Sequence, residues 1–161
     1  MSVTPLPTAQ AMCELVEGLL GRTVEAHPAH RGVDLAKNRE NLAGTYVTNE
    51  GRTAALILAD LAAAARLGAA LGLAPRSAAD AAIKDGLLPV QLGENVAEVL
   101  NVAASLFNAD GAPHLRLAAV YGGDVPAPAE VAAWAKGSGP RLDLELDVAG
   151  YGTGGWSVLL R

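Results

Sequence analysis

Aromatic residues are scarce, with one Phe, two Trp and three Tyr in 161 residues, so the core must be assembled from Ala, Leu and Val. Cysteine is nearly absent: Cys13 stands alone, which excludes an internal disulfide and agrees with a reducing compartment. The chain has no cluster of Lys or Arg and carries a net charge of -5, which leaves sequence-independent binding to DNA or RNA without electrostatic footing. Long apolar runs are missing too. The stretch Ala54 to Ala65 is interrupted by Asp60 and is too short to span a bilayer. The start, Met-Ser-Val-Thr-Pro-Leu-Pro, has neither the basic opening nor the apolar segment of a signal peptide. These absences predict a cytoplasmic protein with no nucleic-acid or membrane partner.

What is present describes a globular chain. Half of the residues (51%) are hydrophobic and 18% are charged, and the length suits one domain able to bury a core without disulfides or a structural metal. Residues 1–8, with Pro5 and Pro7, are expected to form a loose arm, and residues 9–161 a single domain.

Met12, Leu15, Val16, Leu19 and Leu20 recur at helical spacing and Gly21 follows them, which predicts a first helix over 8–20. His27 to Gly32 breaks that pattern, and the polar stretch to Asn41 reads as loop. Thr45 to Thr48 favours a strand, Asn49-Glu50-Gly51 a turn, and Thr53 to Ala59 a second strand buried on both faces. Asp60 stands where an N-cap belongs, before an Ala/Leu-rich helix over 61–71. Ser77 is expected to cap a short helix over 78–84 that ends at Asp85-Gly86. Leu92, Val96, Val99, Leu100, Ala103, Leu106 and Phe107 then mark the clearest helix, 91–107. A strand over 114–121, a short helix containing Trp134, an alternating strand over 141–148, a turn at Tyr151 to Gly155 and a last strand over 156–160 complete the expectation. The fold class is α/β (α+β): a mostly antiparallel sheet built from hairpins, packed against two long helices and several short ones.

Opposite the apolar side of the 91–107 helix lie Glu94, Glu98, Asn101, Ser105 and Asn108, all within about 80° on a helical wheel. A surface helix needs a polar face, and that alone accounts for a stripe. Two details point further. The helix carries neither Lys nor Arg, so its carboxylates lack partners at i±4. Asn101 sits inside the helix, where it costs a few tenths of a kcal/mol (roughly) relative to a better helix former and cannot act as a cap.

The string Glu94-Asn95-Val96-Ala97-Glu98-Val99-Leu100-Asn101-Val102-Ala103-Ala104-Ser105 resembles the signature of the CheC/CheX/FliM superfamily of chemotaxis phosphatases and flagellar switch proteins. That signature reads Asp or Ser, three residues, Glu, two residues, Asn, then a small residue that is often Gly. Glu98 and Asn101 match it; Glu94 stands where Asp or Ser is expected, and Ser105 where Gly is common. The order of elements is also similar: a first helix ending Leu-Leu-Gly, a hairpin around Asn49-Glu50-Gly51, an Ala-rich helix and the signature helix. One signature helix, where CheC-like proteins carry two, places the resemblance on the CheX-like branch.

The resemblance implies a phosphatase in chemotaxis or two-component signalling, a hydrolase acting on the aspartyl phosphate of a CheY-like response regulator. On that reading Asn101 and Glu98 are catalytic: the Asn101 carboxamide orients a water, and Glu98 docks against a cation of the regulator's site. Glu94, Ser105 and Asn108 would contact the partner. Any Mg²⁺ would belong to the regulator, so no cofactor or metal is expected here. The alternative is a non-catalytic CheX-like binding or dimerisation module. CheX relatives associate as dimers, and the alternating 141–148 strand is a candidate edge for pairing with a second copy.

Other residues offer less. His27 and His30 have no Cys nearby and too few companions for a metal site. Tyr151 to Gly155 contains G-x-G-G, but no Lys follows and no helix opens there. No Gly-x-Ser-x-Gly elbow accompanies the Ser, His and Asp residues. Asp143, Glu145 and Asp147 read as a solvated strand face.

Overall fold

A computed structural model describes residues 4–161. The apolar periodicities resolve into α1 (Ala9–Leu20), β1 (Val24–Pro28), β2 (Leu42–Val47), β3 (Thr53–Ala59), α2 (Leu61–Leu71), α3 (Arg76–Asp85), α4 (Val90–Ala103), β4 (Arg116–Tyr121), α5 (Ala129–Ala135), β5 (Arg141–Val148) and β6 (Gly152–Leu160). The strands form one sheet in the order β1-β5-β6-β3-β2-β4, and every pair is antiparallel. The α/β class and the mostly antiparallel sheet are as expected.

The period-two alternation of the strands sends side chains to two different cores. Tyr46, Ala55, Ile57 and Ala59 join α1, α2 and α4 in the larger one. Ala43, Leu56, Leu58 and Leu159 face the opposite way, against α5 and Val33. Residues 55–59 of β3 are fully buried, which explains the unbroken apolar run.

Helix ends follow local chemistry. Thr8 Oγ1 accepts the Ala11 N–H at 3.0 Å, and Gly21 closes α1 in the left-handed region at φ 66, a conformation glycine adopts without a Cβ penalty. Of the expected arm, residues 1–3 lie outside the described residues, Leu6 packs against the core and Pro7 is buried. Asp60 caps α2 through Ala63 N–H at 2.8 Å and also accepts the Gly155 N–H at 3.0 Å. Burial pushes the Asp60 carboxyl above its ordinary value, against the pull of those two N–H groups.

Several expectations are corrected. Ser77 is no cap: α3 starts at Arg76 behind Pro75, whose fixed φ suits a helix entrance. His27 and Pro28 belong to strand β1; Pro28 is tolerated because β1 lies at the sheet edge, where a missing N–H breaks no ladder. The turn expected at Tyr151 to Gly155 is confined to residues before Gly152, where β6 begins. Its glycines serve contact: a Cβ on Gly154 would collide with the backbone of Ala63, so the start of α2 rests directly on the strand. Finally, β5 is not an edge. It is paired on both sides, with β1 and β6, so it has no free ladder for a second copy; the edges are β1 and β4.

Candidate functional site

Helix α4 lies against α2 at very short range because α2 supplies small residues where the two cross. A Cβ on Gly68 would stand 3.0 Å from the carbonyl carbon of Leu92 and 3.1 Å from its Cα, and Asn95 Nδ2 donates to the Gly68 carbonyl at 3.0 Å. From the sheet side, the buried Tyr46 hydroxyl donates to the Leu100 carbonyl at 2.7 Å, and its ring stacks tilted against Phe107 at 5.1 Å. Burial raises the Tyr46 hydroxyl well above its ordinary value, so it stays a donor. Leu92, Val96, Val99, Leu100 and Ala103 are all buried by these contacts. The rotation of α4 about its axis is thereby set, and the opposite stripe must face outward.

Glu94, Glu98, Asn101, Ser105 and Asn108 are indeed all exposed. Among the described residues no Lys, Arg or His forms an ion pair with Glu94 or Glu98. Two departures shape the far end of the stripe. The α-helix ends at Ala103 and residues Ala104–Phe107 wind as a 3-10 helix, a tighter winding that swings Ser105 away from the line of an α-helical stripe. Asn108 Oδ1 accepts the Leu115 N–H at 3.0 Å, so half of that carboxamide is spent on the local fold.

The near end holds features that the sequence reading missed. Val90 lies one turn before Glu94 on the same stripe and is 78% exposed, and Leu87 and Val125 are 55% and 53% exposed. Leu87 and Val90 lie on the rim of a groove of about 480 Å³ bordered by Glu94, Ala97, Leu42 and Gly123. In its wall Glu40, only 4% exposed, accepts the Leu88 N–H at 2.7 Å and so pins the entrance of α4. A signal for Val90 existed: it is apolar yet out of phase with Leu92 and Val96. Glu40 gave none, because it lies in an aperiodic segment.

Chemically, the stripe offers two carboxylates and one free carboxamide within three helical turns. An exposed apolar rim lies beside them. Among the described residues no group of three or more His, Cys, Asp or Glu is arranged to hold a metal ion, and no helix is long and apolar enough to cross a membrane.

No protein-family description and no curated protein sequence matches the chain. Solved structures do. A chain of the FliM–SpeE complex from H. pylori superposes with a TM-score of 0.61 over 94% of this chain and 80% of that one, at 9% identity. A chain of the CheX–CheY–BeF3–Mg²⁺ complex from Borrelia burgdorferi gives 0.51 over 93% and 92%, at 10% identity. The fold is the one these FliM and CheX complex chains share. FliY from Thermotoga maritima, at a TM-score of 0.50 and 12% identity over 92% of this chain and 82% of that one, belongs with them. This likeness of backbone agrees with the resemblance read from the α4 signature, and it carries the fold rather than the roles of individual residues.

Proposed function

We propose that this CheC/CheX/FliM-fold protein binds a phosphorylated, CheY-like response regulator across α4 in the cytoplasm and hydrolyses its aspartyl phosphate. The observation that carries the reading is the outward line Glu94, Glu98 and Asn101 on a helix without Lys or Arg; none of these three side chains has a hydrogen-bond or ion-pair partner among the described residues. The groove rimmed by Leu87 and Val90 adds apolar surface where a protein partner would dock.

In the reaction, a water oxygen attacks phosphorus, the bond from phosphorus to the aspartyl oxygen breaks, and the products are an aspartate carboxylate and inorganic phosphate. Both protons of the water leave with the phosphate, so the balance needs no general base. What remains to be supplied is position. Asn101, with one acceptor and one donor group, holds the water in line. Glu98 pairs with a cation of the regulator and sets the register. Glu94 extends that contact, Ser105 and the free amide of Asn108 lie at its margin, and any Mg²⁺ comes with the regulator.

Phosphate release from an acetyl-phosphate-charged regulator of the same genome tests this. Asn101→Ala should return the rate to the regulator's own autodephosphorylation, and Glu98→Ala should lower it about tenfold or more. Unchanged release with Asn101→Ala refutes the catalytic assignment. A second reading, a non-catalytic binding module, is favoured by one observation: chains from FliM structures superpose at TM-scores from 0.51 to 0.61, at or above the CheX complex chain at 0.51. Regulator binding by calorimetry without accelerated release would decide for it.

A further inference from the structure

On the sheet face turned away from α2 and α4, a second cavity of about 590 Å³ lies between α5, the sheet and the irregular segment 29–41. Its volume falls in the usual range of small-molecule sites. Irregular segments of this length inside a compact domain are uncommon and usually functional, and this one is fastened. Ala29 N–H donates to the Asp143 carbonyl at 3.0 Å and Gly123 N–H to the Arg39 carbonyl at 2.7 Å. Val33 N–H donates to Ser157 Oγ at 3.0 Å, and Asn41 Nδ2 donates to the Asp34 carbonyl at 2.8 Å. Ser157 and Asn41 are themselves buried. The wall therefore stands without a ligand.

The floor is apolar, from Val33, Ala43, Ala132 and Ala135. Three cations line the space: Arg39, Lys136 and Arg141. Arg141 is already committed, because its Nε and one terminal nitrogen bond Asp143 at 2.8 Å each and the other terminal nitrogen bonds the carbonyls of Ala135 and Gly137 at 3.1 and 2.6 Å. Arg39 and Lys136 form no ion pair among the described residues. Two acids also line the space: Asp143 is paired with Arg141, and Asp34 Oδ1 accepts the Ala36 N–H at 2.9 Å. An apolar floor under two uncommitted cations suits one chemistry: a compact apolar or aromatic body bearing a single anionic group.

We propose that this cavity is a binding site for such an amphipathic anion; it takes no residue from α4, shares Arg39, Gly122 and Gly123 with the groove beside α4, and does not rest on the phosphatase reading. Two fluorescent probes that share their aromatic body test it on the full chain. 1-Anilinonaphthalene-8-sulfonate carries the anion, and N-phenyl-1-naphthylamine does not. The sulfonate should bind saturably at one site per chain and at least tenfold more tightly than the neutral probe. It should shift amide resonances of residues 32–36, 121–123 and 136–138. The double variant Arg39→Gln/Lys136→Gln should erase the sulfonate's tenfold advantage while leaving the neutral probe unchanged, and Ala132→Phe should block both.

Equal affinity for the two probes, or no loss in the double variant, overturns the anion assignment. Unsaturable binding, or shifts lying elsewhere, overturns the site itself. Should Ala132→Phe fail to fold, the shifts in the unaltered chain still decide.

Discussion

Replacing Gly68 by alanine tests the close crossing of α2 and α4 that aims the candidate site outward. In an ordinary helix interior, alanine is more favourable than glycine by about 0.8–1.0 kcal/mol. At Gly68 the added Cβ would lie 3.0 and 3.1 Å from the carbonyl carbon and Cα of Leu92, and it would meet the carbonyl oxygen first. The obstacle is backbone, which cannot rotate aside as a side chain can, so the helices must part and loosen the contacts of Leu92 and Val96. Overpacking of a core costs typically about 1–3 kcal/mol. With a rigid obstacle the upper end applies, and after the gain in propensity a net loss of about 2 kcal/mol remains. For a chain of this size each kcal/mol moves Tm by roughly 2–4 °C, so Tm should fall by about 4–8 °C. Urea unfolding followed by tryptophan fluorescence reads the change, since Trp156 is fully buried. Gly18 in α1 is the control: a Cβ there meets nothing within 4 Å, and Gly18→Ala should stabilise by about 0.8–1.0 kcal/mol. If Gly68→Ala stabilises as Gly18→Ala does, the two helices do not cross as described.

Tyr46→Phe removes the donor to the Leu100 carbonyl and leaves a buried acceptor short of a partner; a loss of about 1–2 kcal/mol in urea unfolding is expected with the ring packing kept, and no loss would mean that this bond does not hold α4. Asp143→Asn removes the carboxylate that Arg141 holds at 2.8 Å and should cost about 2 kcal/mol near neutral pH, the scale of a charge-assisted hydrogen bond. Burial acts to raise the Asp143 carboxyl, but hydrogen bonds from Arg141 and Ser157 outweigh it and hold the group below its ordinary value. Its contribution is therefore present above the unfolded aspartate value, about 3.9, and is lost as pH falls through the lower folded value. Thermal melts across the acid range should show a shallower decline for Asp143→Asn than for the parent, and parallel acid limbs would refute the assignment. Asp60 has the opposite sign: its raised value gives a contribution that weakens as pH rises from the ordinary aspartate range through the folded value. Asp60→Asn should remove that part of the pH dependence in the same melts.

Helices and buried strands were legible because their signals are local. The apolar period of Leu92 to Phe107, the cap at Asp60 and the buried run of β3 each depend on neighbours in the chain, and the polar stripe follows from the same period. The reading failed where a distant contact decides. The glycines before Trp156 look like a turn until α2 is seen resting on them, and β1 contains a proline that only an edge position tolerates. The alternation of β5 describes its wet and dry faces but says nothing about which strands flank it. Glu40 and the cavity walls are assembled from segments far apart in sequence, so no window along the chain contains them.

By itself, the sequence determined which residues α4 buries and which it turns to solvent, since a helical period is a property of residue order. Tertiary structure decided how those residues are used. The crossing at Gly68 and the Tyr46 hydroxyl fix the helix's rotation, the side-chain Oδ1 of Asn108 is drawn into the fold, and Val90 and Leu87 are left uncovered beside Glu94. These outcomes depend on where other elements pack, which the burial of the whole core settles and no local pattern encodes.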